Sequence, residues 1–173
     1  MTTPDFFRLK WVGFDVDGVM TDGGIYLDDD GRELKRFHSR DGHALKMLVR
    51  SGLVEVAIIT GRRSGVVEKR CQELGLTEVH QGVLDKGAVY GLLLRERGLS
   101  PGETAFAGDD LVDLPIMLRC GLPMAPADAC PEALAAARFV SQARAGHGAV
   151  REMVEFLLKS LGRWDEMVAR YRP

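Results

Sequence analysis

Leu9-Lys10-Trp11-Val12-Gly13-Phe14-Asp15-Val16-Asp17-Gly18 decides how this chain is read. An almost unbroken apolar run ends abruptly in two carboxylates and a glycine, as expected of a strand buried on both faces that reaches a turn at the sheet edge. In extended chain, residues i and i+2 point to the same side, so Asp15 and Asp17 reach into one small volume. Two carboxylates there repel, and burying them costs hydration, unless a proton or cation sits between them. A hard divalent cation with oxygen ligands, such as Mg²⁺, meets that need. Taken alone, the same four residues Asp-Val-Asp-Gly also describe a solvated strand-to-turn connection.

Outward from this stretch, short apolar runs alternate with longer helical patterns. Strands are predicted at Leu9–Phe14, Val54–Ile59, Glu78–Gln81, Thr104–Ala107, Leu122–Ala125 and Arg138–Val140. Helices are predicted at Gly42–Arg50, Ser64–Leu74, Lys86–Arg97, Val112–Arg119, Pro131–Ala137 and Gly148–Leu161. Gly52, Gly75, Gly98 and Gly121 stand just past four of them, where a left-handed cap is wanted. This alternation predicts an α/β fold: a Rossmann-like parallel sheet with helices on both faces. One segment breaks the rhythm. Two strand-like runs flank the Asp-Gly turn chemistry of Asp28–Gly31, so residues 25–38 read as a β-hairpin inserted after the first strand. Asp28–Asp30 fits a solvated hairpin tip, and no EF-hand spacing supports calcium.

The 173 residues predict a single domain, 1–173, with residues 144–173 as a tail that could be flexible or exchanged between subunits. A formal net charge of −2 provides no cationic field for nucleic acid or anionic membrane, and neither is expected as a partner. Cys71, Cys120 and Cys130 form no CxxC pair and are odd in number, which argues against a disulfide framework and for a reducing compartment. The N-terminal MTTPDFFRLKWVGFDVDG runs into a strand without a leader, and no apolar run spans a membrane, so a cytoplasmic protein is expected.

Three further sites follow the other predicted strands. Gly108-Asp109-Asp110-Leu111-Val112-Asp113 gathers three acidic groups, more than helix capping needs. Asp109 is the best candidate metal ligand, with Asp110 and Asp113 as orienting groups. Thr60-Gly61-Arg62 puts a hydroxyl and free amides before a helix, a phosphate-binding arrangement that is also a common turn. Lys86, at a helix start just past a strand, could equally be a surface lysine. Their conjunction is more specific than any one of them. Four strand ends deliver Asp/Asp, Thr, Lys and Asp/Asp/Asp to the edge where open α/β sheets bind ligands. A carboxylate nucleophile, a neighbouring acid, a metal, a hydroxyl and an ammonium together describe phosphoryl transfer through an aspartyl-phosphate.

In this order, DVDG, ITGR, Lys86 and GDDLVD resemble the four motifs of haloacid dehalogenase-type phosphohydrolases. Across most of the chain the resemblance narrows to the 3-deoxy-D-manno-octulosonate 8-phosphate (Kdo 8-phosphate) phosphatases. It is carried by DVDGVMTDGGIYLDDDGRELKRFHSRDG, EVAIITGRRSGVVEKRCQELGL, GDDLVDLPIM and GHGAVREMVEFLL. The resemblance implies that Asp15 attacks phosphorus while Asp17 protonates the leaving sugar oxygen and then activates water. It implies Mg²⁺ on the Asp15 carboxylate, the Asp17 carbonyl and Asp109, with Thr60, Gly61 and Lys86 around the phosphate. Arg62 and Arg70 match arginines that meet an acidic sugar's carboxylate, although Arg70 also suits a helix-surface pair with Glu73 or Glu68.

Asp17 to Thr60 spans 43 positions and Thr60 to Lys86 spans 26, so no independent cap domain fits between the motifs. The resemblance then implies a cytoplasmic homotetramer of lipopolysaccharide biosynthesis, in which hairpins build a barrel and neighbouring subunits wall each site. Two stretches depart from the family. Ala145-Gly146-His147-Gly148 stands where a Gly-Gly-Arg-Gly run is usual, and DGHALK replaces DG-x-Gly-Ile. His38, His43, His80 and His147 are scattered without metal spacing. Alternatives are a phosphatase for an acidic nine-carbon sugar phosphate (KDN or sialic acid 9-phosphate) and a non-catalytic sugar-phosphate-binding or regulatory subunit. A phospho-accepting receiver domain fails on motif order, because its phosphorylated Asp precedes Thr and Lys from a middle strand.

Overall fold

A computed structural model describes residues 8–172; residues 1–7, where no leader is expected, lie outside the described residues. Six strands form one parallel sheet: β1 (Trp11–Phe14), β4 (Glu55–Thr60), β5 (Glu78–Gln81), β6 (Thr104–Ala107), β7 (Leu122–Ala125) and β8 (Phe139–Val140). Their order is β5-β4-β1-β6-β7-β8, and β2 (Tyr26–Leu27) and β3 (Glu33–Leu34) form the separate antiparallel hairpin. The chain runs outward from β1 to β4 and β5, then returns to β6 on β1's other side. The topological switch therefore lies between β1 and β6, and their C-terminal ends open a crevice there.

Strand periodicity sorts the core into two layers. Val12 and Phe14 of β1 join Val56 and Ile58 of β4 against α1 (Ser39–Ser51), α2 (Gly65–Leu74) and α6 (Ala149–Ser160). Trp11, Ala57, Ile59 and Phe106 face α3 (Lys86–Arg97), α4 (Leu114–Met117) and α5 (Pro131–Ala136) on the other side. Gly13 is needed because a Cβ there would stand 2.4 Å from the Trp11 ring. Ser64 caps α2 through Val67 N–H and Asp85 caps α3 through Ala88 N–H, while Gly52, Gly75 and Gly98 end their helices with positive φ.

Several boundaries differ from expectation. Gly121 is no left-handed cap: a Cβ there would lie 2.7 Å from the Gly102 carbonyl oxygen, so its role is close backbone approach. The helix predicted at 112–119 shrinks to α4, preceded by a 3₁₀ turn at Leu111–Asp113. The hairpin pairs two residues a side and not the longer runs, and a short helix, α7 (Trp164–Ala169), occupies part of the tail. The N-cap of α6 is Gly148, which has no side chain to cap the helix. Buried Asp41 of α1 does so instead, accepting from Gly148 N–H (3.2 Å) and Arg151 N–H (2.8 Å). None of the helices is long and apolar enough to cross a membrane, among the described residues.

Candidate active site

β1 delivers Asp15 to the crevice, with its N–H bonded to the Ala107 carbonyl of β6 at 2.9 Å. The chain then turns tightly: the Val16 carbonyl accepts from the amides of Val19, Met20 and Thr21. Gly18 makes this turn with φ +89°, and a Cβ there would sit 2.0 Å from Asp109 Oδ2. A residue with a side chain would both strain the turn and displace Asp109.

Asp109 stands beyond β6 on a loop organised by Asp113. The buried Asp113 carboxylate accepts from the amides of Asp109 (3.0 Å) and Asp110 (3.3 Å) through one oxygen. Its other oxygen accepts from Lys86 Nζ at 2.6 Å. Asp110 faces outward and caps the 3₁₀ turn through Leu111 N–H. Lys86, 3% exposed on the first turn of α3, also lies 2.8 Å from Asp15 Oδ1. One ammonium thus serves two carboxylates while a third stands beside them.

Ligand atoms of Asp15, Asp109 and Asp113 come within 4.8 Å of one another. The consequences are electrostatic. Burial, then repulsion from Asp15, Asp113 and Asp110, pushes the Asp109 carboxyl up to about 8. Burial and then Asp113 raise Asp15 to about 6, against the pull of Lys86. Burial opposes the Lys86 charge, but Asp15 and Asp113 outweigh it and hold the ammonium above its ordinary range. Asp109 Oδ1 is buried without a hydrogen-bond partner. A buried carboxylate oxygen facing two more carboxylates, which Lys86 alone does not neutralise, is the donor set of a hard oxygen-seeking dication. The residues therefore fit Mg²⁺.

Thr60 is buried at the end of β4, the strand beside β1, and its carbonyl accepts from Val83 N–H at 3.1 Å. Gly61 follows it, where a Cβ would meet the Val83 carbonyl oxygen at 3.7 Å, and Arg62 reaches back to within 4.0 Å of Asp17 Oδ2. Asp17 itself bonds elsewhere: Lys35 Nζ from the hairpin lies on its Oδ1. Arg70 has other partners, pairing with Glu73 at 3.0 Å and lying over the Phe37 ring. Its Nη2 fills the space over Gly42.

The hairpin's contribution was not expected from sequence. Glu33 and Lys35, two apart and so on one side of the strand, both turn toward the motif residues. The alternation was visible, but nothing local says that this face folds back over Asp17. The 145–148 segment also packs on its own chain. Gly146, φ +65°, sits so close to Thr21 and Asp22 that a Cβ would lie 2.5 Å from Asp22 N. His147 Nε2 accepts from Arg36 Nη1 at 2.8 Å. A cavity of about 640 Å³ lies elsewhere, beside Glu55, Glu78, His80 and Arg97, but there Arg97 already pairs with both glutamates.

No family model matches the chain. A curated relative, the Kdo 8-phosphate phosphatase of Escherichia coli K12, is 44% identical over 159 residues, covering 92% of this chain and 84% of its own. The crystal structure of the Moraxella catarrhalis Kdo 8-phosphate phosphatase, in complex with magnesium ion, phosphate ion and a KDO molecule, superposes with a TM-score of 0.93. It is 34% identical and covers 96% of this chain and 95% of that one. A structure assigned to the haloacid dehalogenase superfamily, subfamily III A, from Legionella pneumophila gives a TM-score of 0.90 at 38% identity, over 96% and 91% of the two chains.

Proposed function

The chain belongs to the Kdo 8-phosphate phosphatase family of the haloacid dehalogenase superfamily, and from that premise we propose that it hydrolyses Kdo 8-phosphate to Kdo and inorganic phosphate. The observation that carries the proposal is the buried trio Asp15, Asp109 and Asp113, held against Lys86, with Asp109 Oδ1 unpartnered among the described residues. Residues 1–173 act as one catalytic unit.

Asp15 is the nucleophile. Its position at the end of β1, gripped by Lys86, aims a carboxylate oxygen at the phosphorus. The carboxylates of Asp15 and Asp109 and the Asp17 carbonyl would hold Mg²⁺, which when bound offsets the negative charge of ester and carboxylates. Lys86 bridges Asp15 and Asp113, so the charge that steadies the nucleophile is itself fixed before substrate arrives. Thr60 and the Gly61 amide bind phosphate oxygens. Asp17 protonates the departing sugar oxygen and then accepts a proton from the water that attacks the aspartyl-phosphate. Asp113 orients Asp109 through two amide hydrogen bonds, and Asp110 holds the turn that carries them. Arg62, half-exposed beside Asp17, faces the sugar; Arg70 reaches it only by leaving Glu73 and Phe37.

The hairpin supports a homotetramer. Ile25 and Leu27 on one side and Leu34 on the other are each about 60% exposed, apolar surface on a segment too short to stand as a sheet alone. Cytoplasmic location and a place in lipopolysaccharide synthesis complete the proposal. Phosphate release is measured from Kdo 8-phosphate, acidic nine-carbon sugar phosphates and generic phosphomonoesters, with Mg²⁺ and with a chelator. Highest catalytic efficiency on Kdo 8-phosphate, lost on chelation and in Asp15→Asn, is the expected result. Full turnover by Asp15→Asn removes the nucleophile, and preference for a nine-carbon ester moves the substrate.

A further inference from the structure

Four charged side chains of alternating sign close a ring around the leaving-group side of the site. Asp17 Oδ1 meets Lys35 Nζ; Lys35 Nζ lies 3.3 Å from Glu33 Oε1; the same oxygen is 3.3 Å from Arg62 Nη2; and Arg62 Nε returns to Asp17 Oδ2 at 4.0 Å. The other Glu33 oxygen accepts from the Ser64 hydroxyl, the N-cap of α2. Glu33 is thus tied to the hairpin cation, to the arginine after β4 and to the helix that follows it. Its carboxyl is held below the ordinary range because these bonds outweigh the cost of its burial.

The burial of the ring is uneven. The Lys35 side chain is 1% exposed, whereas that of Arg62 is 46% exposed. A lysine so deeply enclosed has surrendered its hydration, and Asp17 and Glu33 replace it. Arg62, on a half-exposed loop, would sample many rotamers if Glu33 did not fix its fork. Exposure decides which cation a ligand can meet: the enclosed Lys35 ammonium stays with Asp17 and Glu33, and the half-exposed Arg62 guanidinium is open to an incoming anion.

From this we infer that Glu33 is a positioning residue for substrate selection: anchored by the enclosed Lys35 and by Ser64, it holds the Arg62 guanidinium beside Asp17, which favours phosphate esters whose leaving alcohol carries its own carboxylate. The inference rests on the proposed phosphatase reading. It concerns the alcohol half of the substrate, and the phosphoryl chemistry at Asp15 stands without it.

Two variants separate position from charge. Glu33→Gln keeps an acceptor for the cations and a donor for Ser64 Oγ while removing a negative charge that competes with the substrate. Glu33→Ala removes all of the contacts. KM and kcat are measured with Mg²⁺ on Kdo 8-phosphate and on para-nitrophenyl phosphate, whose leaving group has no carboxylate. Glu33→Ala is expected to raise KM for the sugar ester about tenfold, the effect of one charge-assisted contact, and to lower kcat/KM for it at least about fivefold more than for the aryl ester. Glu33→Gln is expected to hold its sugar-ester KM at or below that of the unaltered enzyme. Equal losses on both substrates, an unchanged sugar-ester KM in Glu33→Ala, or a Glu33→Gln variant as impaired as Glu33→Ala overturns the inference. An unaltered protein that releases phosphate from neither ester refutes the underlying phosphatase reading instead.

Discussion

Replacing Lys86 by methionine removes the one ammonium that touches both Asp15 (2.8 Å) and Asp113 (2.6 Å) while keeping most of the side-chain volume. The cavity contribution is therefore small, and the loss is electrostatic. Stripping one partner from a buried ion pair costs about 3–5 kcal/mol, because the remaining charge stays desolvated. Here two carboxylates are orphaned, but protons relieve them in part, since Asp109 and Asp15 already hold theirs up to about 8 and about 6. The penalty in metal-free Lys86→Met is thus expected near 3 kcal/mol at pH 6 and near 5 kcal/mol at pH 9, both as orders of magnitude. Against a typical domain stability of about 5–15 kcal/mol, either is readily measured. The assay is equilibrium urea unfolding with a chelator, repeated with Mg²⁺. The dication should stabilise the variant more than the unaltered protein, because it replaces the missing positive charge. A metal-free variant within about 1 kcal/mol of the unaltered protein at both pH values would falsify the picture of Lys86 as the charge that holds the cluster together.

The same carboxyls set the pH dependence of the unaltered, metal-free protein. Their folded pKa values lie above the unfolded value of about 3.9, so the folded state binds the extra protons and stability falls as pH rises from about 4 to about 8. Urea midpoints across that range should decline without metal and flatten with Mg²⁺, whose binding requires the ionised carboxylates and so tightens as pH rises; a midpoint that rises with pH without metal contradicts the assignment. Gly18→Ala combines a positive φ with a 2.0 Å encounter with Asp109 Oδ2, and should lose at least about 1–3 kcal/mol and weaken Mg²⁺ binding by calorimetry. Normal metal affinity in that variant would separate Asp109 from the metal site. Ile25→Glu with Leu34→Glu charges both exposed sides of the hairpin and should convert a tetramer to smaller species in sedimentation; an unchanged mass rules the hairpin out as the interface.

The sequence by itself determined the parallel sheet, because alternation of buried runs with capped helices is a local property that each segment expresses alone. Lys86–Arg97 and Leu122–Ala125 fall where the pattern placed them, and Asp15, Asp109 and Lys86 could be picked out because strand ends in such a sheet converge on one edge. Tertiary structure decided what those residues touch. Gly121 sits where a helix cap is expected but serves a backbone crossing, and Asp41 caps a helix whose N-cap, Gly148, lies 107 residues later in the chain. Arg70 belongs to Phe37 and Glu73, whereas Lys35 and Glu33 reach Asp17 and Arg62 only once the hairpin folds back over the crevice. Local propensity carries the period of an element and the chemistry of its ends. The pairing of charges across distant segments depends on how those segments pack, and each side chain's own sequence neighbourhood is silent about that.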